Sequence, residues 1–394
     1  MSYDFDRLID RRASNSMKWR SYGEQVLPLW VADMDFPAPP PILAALQRAL
    51  EHGIFGYDLP SPALRQTVAR RMERLYGWEI SPDWVIATPG IVSAFTVAAQ
   101  AVCRSNEAIL VQPPVYPPFL KVGEYTGLPQ KVAPLRRLEQ GQRLQYEIDW
   151  EALETAFQSD PPVGMFLLCS PHNPTGNVFS PTDLRRIAAL CQEHDIFLCS
   201  DEIHSELLLG EAQHTPVAAL LDPQAAQRVI TLVAPSKTFN IPGLFCGFAI
   251  IPNESIRRRF RLILEKMTLH VNSLGLVAAE AAFSGECDDW LAELRRYLTA
   301  NRDVLVASIE QDFPDLRTTV PNATYLAWLD ARNLIETGKI EDTPQLFFLN
   351  KAKVALNEGA DFGPGGEGFV RLNFGCPRRI LEEALERMHT ALYR

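Results

Sequence analysis

The residues of this chain that could do chemistry stand directly after its most apolar segments. Short apolar runs end immediately before groups that contain Gly90, Tyr116, Asn173, Asp201 and Lys237. A lysine at the end of a buried strand is partly desolvated, so its amine can lose a proton and form a Schiff base with an aldehyde. A buried aspartate can keep a pyridine nitrogen protonated, and a helix that opens at a glycine offers free backbone amides to a phosphate.

An aldehyde, a pyridine ring and a phosphate belong together in one ligand, pyridoxal 5′-phosphate, and Tyr116 is suited to lie against the flat ring of that ligand. Each feature is weak in isolation, because a lysine at a strand end is usually a solvated surface residue and Asp201 could simply cap a helix. The segment SPHNPTG around Asn173 could equally be a tight turn. The prediction rests on their joint occurrence, each after an apolar run.

The elements that must position these residues alternate between apolar strands and helical patterns, which is typical of an α/β fold. Strands that are apolar throughout suit a sheet covered on both faces. The predicted strands are Trp84–Ala87, Ala108–Gln112, Gly164–Cys169, Ile196–Ser200, Arg228–Ala234 and Phe245–Ile251, and helices are predicted at Val92–Val102 and Thr182–His194. Ligands of such sheets bind beyond the carboxyl ends of the strands, so the polar groups should meet in one crevice.

The pattern changes in the last third of the chain, where longer helical segments precede short strands. These elements are Leu276–Phe283, Trp290–Phe313, Ala323–Leu329 and Phe369–Phe374. We therefore predict three parts: an N-terminal arm that forms part of a small domain (1–45), a large pyridoxal-phosphate-binding domain with a mostly parallel mixed sheet covered by helices (46–275), and a small α+β domain (276–394).

Composition excludes several classes of partner. The 394 residues are 47% hydrophobic and 22% charged, and the formal net charge of −10 argues against nucleic acid or an anionic membrane as the main partner. No apolar run reaches the length of a transmembrane helix, and the N-terminus lacks the apolar core of a secretory signal. Seven scattered cysteines without a CxxC pair indicate reduced, mostly buried thiols, so we expect a cytoplasmic protein.

The chain resembles the fold-type I pyridoxal-phosphate enzymes, and within them the cystathionine β-lyase-like branch of the class I/II aminotransferase family. The resemblance covers nearly the whole chain and implies a homodimer with shared active sites. It is carried by PLWVADMDFPAPPPI (28–42), GIFGYDLP (53–60), ATPGIV (87–92), PPVYPPF (113–119), SPHNPTG (170–176), SDEIHSEL (200–207), APSKTFNIPGL (234–244) and VRLNFGCPR (370–378).

The resemblance also implies roles for residues around the cofactor. Lys237 corresponds to the Schiff-base lysine, Asp201 to the partner of the pyridine nitrogen, and Asn173 to the hydrogen-bond donor to the ring's phenolic oxygen. Tyr116 should stack on or beside the ring. Independently of the resemblance, we expect His204 to line the cofactor pocket rather than to bind a metal. The residues expected to hold the phosphate are Gly90, Ile91, Val92 and Ser236.

Three further positions are implied for the substrate and for the second subunit. Arg371 matches the arginine that clamps the substrate α-carboxylate, for which a planar fork of donors is suited. The backbone near Ala32 should face the same carboxylate. Tyr57 corresponds to a tyrosine that reaches the phosphate of the neighbouring subunit.

One departure from the wider family favours a lyase. Many aminotransferases of this fold carry an arginine eight residues after the lysine, and Phe245 stands there instead. The lyase branch also lacks that arginine, and WVADMDF (30–36) is typical of it. We therefore expect β-elimination, in which L-cystathionine or another S-substituted L-cysteine yields a thiol, pyruvate and ammonia. Lys237 should take the Cα proton, and Tyr116 or Lys237 should protonate the leaving thiolate.

The sequence also allows other interpretations. An aminotransferase remains the main alternative, and a non-catalytic regulatory protein is disfavoured because Lys237, Tyr116 and Arg371 are all present. The segment GPGGEG (363–368) fits GxGxxG, but no βαβ unit follows it, so a loop is the better interpretation. The histidines lack metal-ligand spacing, and we expect no metal site.

Overall fold

The computed structural model describes residues 3–394. Its larger sheet has seven strands, and every strand but one runs in the same direction. The strands of the chain are β1 (Leu27–Pro28), β2 (Val85–Thr88), β3 (Ala108–Val111), β4 (Gln130–Val132), β5 (Arg136–Gln140), β6 (Arg143–Glu147), β7 (Val163–Cys169), β8 (Phe197–Asp201), β9 (Val229–Val233), β10 (Gly247–Ile250), β11 (Arg317–Thr319), β12 (Leu326–Asp330), β13 (Val354–Ala355), β14 (Asn357–Glu358) and β15 (Phe369–Asn373).

Helices cover both faces of this sheet. The α-helices of the chain are α1 (Met17–Arg20), α2 (Pro40–His52), α3 (Pro62–Tyr76), α4 (Ile91–Val102), α5 (Pro117–Leu120), α6 (Val122–Thr126), α7 (Trp150–Gln158), α8 (Pro181–Glu193), α9 (Pro235–Thr238), α10 (Glu254–Lys266), α11 (Ser273–Phe283), α12 (Asp288–Asp312), α13 (Arg332–Glu336), α14 (Pro344–Phe347) and α15 (Arg378–Tyr393). No helix among the described residues is both long and apolar enough to cross a membrane.

The seven-stranded sheet has the order β2-β10-β9-β8-β7-β3-β4, with β10 antiparallel to both neighbours. Its inner strands β7 and β9 are buried at every position because both of their faces are covered, whereas the edge strand β4 (Gln-Lys-Val) is only partly buried. In β7, Met165 and Leu167 join the core shared with α4 and α10, whereas Phe166 and Leu168 join the core shared with α3, α8 and α11. The structure thus confirms the predicted α/β fold with a mostly parallel mixed sheet.

A second sheet of six strands has the order β14-β15-β12-β11-β6-β5. The β5–β6 hairpin comes from the middle of the chain, within the range we assigned to the large domain, yet β6 pairs in parallel with β11. No residue of β5 is buried, and β6 alternates between exposed and buried residues, so the hairpin differs from the apolar strands predicted from the sequence. The domain boundaries after residues 45 and 275 remain a prediction from the sequence.

The predicted strands and helices lie within a few residues of the observed ones, with two informative differences. Phe245, predicted to start a strand, adopts a left-handed conformation (φ 47°) two residues before β10. Thr324, predicted within a strand, is left-handed as well (φ 74°), and β12 begins only at Leu326. The segment 363–368 forms a loop with left-handed glycines that leads into β15.

Candidate active site

The carboxyl ends of the parallel strands open onto one hollow, which gathers most of the predicted site residues. Arg371 lies behind it, in contact with Asn173. Tyr57 is the exception, since its side chain is fully exposed in the irregular segment between α2 and α3. The predicted residues that line the hollow are Ala32, Gly90, Ile91, Val92, Tyr116, Asn173, Asp201, His204, Ser236 and Lys237.

Lys237 sits in the short helix α9, directly after β9, where Pro235 begins the helix. Its Nζ donates a hydrogen bond to the carbonyl oxygen of Ala32 at 2.8 Å. Burial, reinforced by the positive charge of Arg371, lowers the pKa of Lys237 to about 8, and Asp201 and Asp33 act in the opposite direction. A substantial fraction of this amine is therefore unprotonated near neutral pH, as a nucleophile or base requires.

Asp201 ends strand β8 and is buried in the hollow. Its Oδ1 accepts a hydrogen bond from the backbone N–H of Ile203 at 3.1 Å. Burial raises the pKa of Asp201 to about 7, Glu202 adds to the rise, and the Ile203 N–H and Lys237 offset part of it. A cation placed against this carboxyl would restore its ionised form, so the site fits a ligand that carries a protonated ring nitrogen.

Arg371 lies in the middle of β15 and is held entirely by neutral acceptors. Nη1 donates to Asn173 Oδ1 at 3.0 Å, while Nη2 donates to the Trp30 carbonyl at 3.0 Å and to Asn357 Oδ1 at 2.6 Å. Its Nε is buried without a partner. Burial lowers the pKa of Arg371 to about 10. The guanidinium is therefore a fixed positive charge that no carboxylate of these contacts neutralises.

The N-terminus of α4 forms the opposite end of the hollow. Gly90 precedes the helix with φ 102°, a conformation that favours glycine, and no side chain caps the first turn. The amides of Ile91 and Val92 are thus available to an anion, and Ser236 adds a hydroxyl. Phe245, the residue that stands in place of an arginine, lies at this end with 61% of its surface exposed.

Two aromatic side chains complete the lining. The backbone N–H of Tyr116 donates to the Asn173 carbonyl at 3.0 Å, and burial raises the pKa of its phenol. His204 is buried, and its Nδ1 has no hydrogen-bond partner. Burial, together with the charges of Lys237 and Arg371, lowers the pKa of His204 to about 3, so the imidazole is neutral. Its unpartnered nitrogen is a further place for a polar ligand atom.

The loop that carries Ala32 is held by residues to which the sequence analysis gave no role. Asn240 Oδ1 accepts from the Met34 N–H at 2.9 Å, and its Nδ2 donates to the Met34 and Phe36 carbonyls. Asn373 Nδ2 donates to the carbonyls on either side of Ala32, those of Val31 and Asp33. Both asparagines lie within the segments that carry the resemblance, which was the only signal for them.

The remaining unpredicted contacts come from distant parts of the chain. Asn357 reaches Arg371 because β14 pairs with β15. Tyr325 precedes β12, and its hydroxyl donates to the Ala32 carbonyl at 2.8 Å. Neither residue has a local sequence signal, since asparagine in a turn and tyrosine near a strand are both ordinary.

The chain is similar in sequence and in structure to several known proteins. The cystathionine β-lyase PatB of Bacillus subtilis is 40% identical over 99% of this chain and 100% of its own length. The structure of cystalysin from Treponema denticola, which contains pyridoxal 5′-phosphate, matches with a TM-score of 0.91 and 33% identity, covering 100% of this chain and 99% of that one. The pyridoxal-phosphate-bound C–S lyase of Staphylococcus hominis matches with a TM-score of 0.92 and 29% identity, with the same coverage.

These matches span the whole chain and include both sheets. The family model for aminotransferases of class I and II covers residues 24–388. The fold-type I architecture and the family expected from the sequence are confirmed, and the chain belongs to the class I and II aminotransferase family.

Proposed function

We propose that this protein is a pyridoxal-phosphate-dependent carbon–sulfur β-lyase that cleaves L-cystathionine or other S-substituted L-cysteines to a thiol, pyruvate and ammonia. The observation that carries the proposal is the meeting, in one hollow, of the Lys237 amine of lowered pKa, the Asp201 carboxyl without a cationic partner among its hydrogen bonds, and the uncapped start of α4. Full-length similarity to a cystathionine β-lyase supports it.

The residues present fit the cofactor. The amides of Ile91 and Val92 and the Ser236 hydroxyl would hold its phosphate, and Asp201 would hold the protonated ring nitrogen. Gly90 would shape the turn before these amides, because its own N–H donates to the Thr88 carbonyl at 2.8 Å. Asn173 and the unpartnered nitrogen of His204 lie in the same hollow as polar contacts for the ring, and Tyr116 as its stacking partner. When bound, the cofactor supplies an aldehyde that bonds amines and a ring that withdraws electrons from the substrate Cα.

The chain's own groups then divide the remaining work. Arg371 binds the substrate α-carboxylate through its guanidinium and thereby fixes which Cα–H bond faces Lys237. The Lys237 amine takes the Cα proton at Nζ, since its lowered pKa leaves roughly a tenth of it unprotonated at pH 7, far more than for an ordinary lysine. The thiolate leaves from Cβ, and the Lys237 ammonium or the Tyr116 hydroxyl gives it a proton; burial keeps the Tyr116 phenol in its protonated form.

Substrate breadth follows from the lining. Among the described residues that line the hollow, Lys237 is the sole lysine or arginine, so we find no second cation for the distal carboxylate of cystathionine. We expect small S-alkyl cysteines and cystathionine to be cleaved with kcat/KM values within about a hundredfold of each other. A larger preference for cystathionine would contradict this breadth.

We further infer a homodimer in which Tyr57 of the partner subunit reaches the cofactor phosphate. The segment around this residue is strongly exposed for its composition: Ile54 is 72% exposed, Tyr57 105% and Leu59 83%. Such an apolar surface is typical of a protein interface. Sedimentation should give twice the chain mass of 44.2 kDa. The seven cysteines are all free and buried, which supports a location in a reducing compartment such as the cytoplasm.

The decisive experiment gives the cofactor-loaded protein an S-substituted L-cysteine without any keto acid and follows thiol and pyruvate. Equal release over many turnovers is the expected result. A single turnover that restarts only when keto acid is added would identify an aminotransferase instead. Retained cofactor without any turnover would favour a regulatory role. Lys237→Ala should abolish release, by roughly 10³-fold or more, while leaving the protein folded.

A further inference from the structure

The carbonyl oxygen of Ala32 accepts two hydrogen bonds in the candidate active site. One comes from Lys237 Nζ and the other from the Tyr325 hydroxyl, both at 2.8 Å. Tyr325 is 1% exposed, and its ring lies edge-on to His204 with 6.2 Å between ring centroids. The two donors therefore meet at one acceptor, which belongs to a residue that lines the hollow.

Tyr325 is held in place by backbone that is strained. Thr324, the preceding residue, has φ 74°, which a β-branched residue rarely adopts. Its N–H donates to the Leu207 carbonyl at 2.8 Å, and its Oγ1 accepts from the Leu326 N–H at 3.1 Å. Strain of this kind persists only where the surrounding contacts determine it, and it clusters at functional sites.

The ring of Tyr325 is also packed against a glycine that leaves room for it. A Cβ atom on Gly375 would lie 3.2 Å from a ring carbon of Tyr325 and 2.8 Å from Met34 Cγ. The backbone N–H of Phe374 donates to the Tyr325 carbonyl at 2.9 Å. The hydroxyl is therefore aimed at Ala32 by the strand pair on one side and by the Ala32 loop on the other.

We propose that Tyr325 is a positioning residue for Lys237. Its hydroxyl fixes the position of the Ala32 carbonyl oxygen that accepts from Lys237 Nζ, and by donating to the same oxygen it weakens the hydrogen bond between that oxygen and the ammonium form of Lys237. The O–H dipole turns its positive end toward the oxygen, and hence toward the neighbouring nitrogen. A protonated Lys237 is repelled by this dipole more than a neutral one. The proposal rests on the proposed function only in that Lys237 is taken to be the base.

Other charges near Lys237 come from separate elements. Arg371 on β15 disfavours the ammonium, while Asp33 in the Ala32 loop and Asp201 on β8 favour it, and neutral His204 lies nearby. A change at Tyr325 that removes only the hydroxyl leaves all of these groups in place. Burial raises the pKa of the Tyr325 phenol above its ordinary value, so the residue remains a donor throughout the neutral range.

The test is competitive labelling of Lys237 with trace acetic anhydride between pH 6 and pH 10, on the full-length protein freed of cofactor. Mass spectrometry of the Lys237 peptide gives the midpoint at which the amine becomes reactive. In Tyr325→Phe we expect the midpoint to rise by about half to one pH unit, because the carbonyl then serves the ammonium alone. Tyr146→Phe is the matched control, since it removes another buried hydroxyl, one that accepts from Trp328 Nε1 at 3.1 Å. Its midpoint should equal that of the parent.

A second variant tests the sign of the effect. Replacement of Tyr325 by 3-fluorotyrosine makes a stronger donor of nearly the same size, and the midpoint should fall. Opposite shifts in the two variants support the proposal. An unchanged or lowered midpoint in Tyr325→Phe overturns the proposal. An upward shift with 3-fluorotyrosine overturns it as well. If Tyr325→Phe does not fold, the direction of the shift with 3-fluorotyrosine is the test. Because no substrate is used, the result does not depend on which reaction the enzyme performs.

Discussion

Arg71 and Arg371 are both almost fully withdrawn from water, at 1% and 4% exposure, yet their surroundings are opposite. Arg71, on α3, donates from Nε to Glu206 Oε1 at 2.8 Å, makes a second bond to the same carboxylate, and donates from Nη1 to Asp288 at 3.1 Å. Burial alone lowers its pKa, but the two carboxylates outweigh burial and raise it above the ordinary value. Arg371 has only amide and carbonyl acceptors, and burial prevails.

The buried acids Asp35 and Asp201 repeat the contrast. Burial tends to raise the pKa of Asp35, but Lys18, Trp19 and Arg11 outweigh it, so the pKa lies below its usual range. Burial raises the pKa of Asp201 to about 7, because no cation forms a hydrogen bond with this carboxyl and Lys237 offsets only part of the effect of burial. Charges that maintain the fold are thus neutralised within the chain. Lys237, Asp201 and Arg371 at the candidate site form no ion pair with another described residue, so close counter-charges are left to bound molecules.

The largest effect we predict comes from replacing Arg71, the arginine whose charge is neutralised by carboxylates of the chain. Arg71→Leu leaves Glu206, which is buried, without its partner, and should lower the free energy of unfolding by about 3–5 kcal/mol. Thermal melting measures this, and kcat/KM at a temperature where the variant is folded should match the parent. A melting temperature within a degree of the parent would contradict the assignment of Arg71 to the fold.

Arg371→Leu should produce the reverse pattern. Loss of the proposed clamp on the substrate carboxylate should reduce kcat/KM by about 10²–10³-fold, as expected for removing a bidentate charged contact. The melting temperature should fall by less than in Arg71→Leu, because the cation removed has no carboxylate partner to strand. Arg371→Lys, which keeps the charge but not the planar fork, should recover only part of the activity. Full recovery would show that charge alone is sufficient.

The two aspartates should differ in how stability depends on pH. Asp201 has a folded pKa near 7, above its unfolded value of about 3.9, so its contribution to stability is present below pH 4 and lost as pH rises toward 7. In cofactor-free protein, Asp201→Asn should therefore gain about 1–3 kcal/mol over the parent between pH 5 and pH 8.

Asp35 has a lowered folded pKa, so its contribution is present above pH 4 and lost as pH falls through the folded value. Asp35→Asn should accordingly be less stable than the parent at both pH 5 and pH 8. Denaturant titration at these two pH values measures both variants. If the free energy of unfolding of the two variants changed with pH in the same way, Asp35 and Asp201 would not differ in how their charges are compensated.

The smallest effect we predict concerns the acceptors that orient the Arg371 guanidinium. Asn357→Ala removes one of its three acceptors, and KM should rise about tenfold with little change in kcat, because the guanidinium remains charged but is less well oriented. Asn333→Ala is the control, since Asn333 donates to Asp315 and does not line the hollow. A KM that does not move would mean that Asn173 and the Trp30 carbonyl suffice to orient Arg371.

The site residues found from the sequence share a local signature. Asp201 and Lys237 follow buried strands, and Gly90 opens a helix after a third. Parallel strands place their carboxyl ends on one edge, so local order along the chain was enough to predict that these residues meet. The prediction needed no knowledge of long-range contacts other than the direction of the strands.

The contacts that tune those residues carry no such signature. Arg71 lies in ALRQTVARRMERLY, where it is indistinguishable from the exposed arginines of the same helix, and only the fold places Glu206 and Asp288 against it. Tyr325 and Asn357 reach the site through strand pairs whose members are far apart in the sequence. The β5–β6 hairpin joins β11 across more than a hundred residues for the same reason.

The sequence by itself therefore determined the chemistry: which strand ends carry the lysine, the aspartate and the helix start, and that they share one crevice. The tertiary structure alone decided which charges are compensated, and hence how the pKa of each group is set. The hydrophobic pattern of a segment indicates which of its positions are buried. The electrostatic state of a side chain depends on every group within a few ångströms, and at Ala32 those groups come from three distant parts of the chain.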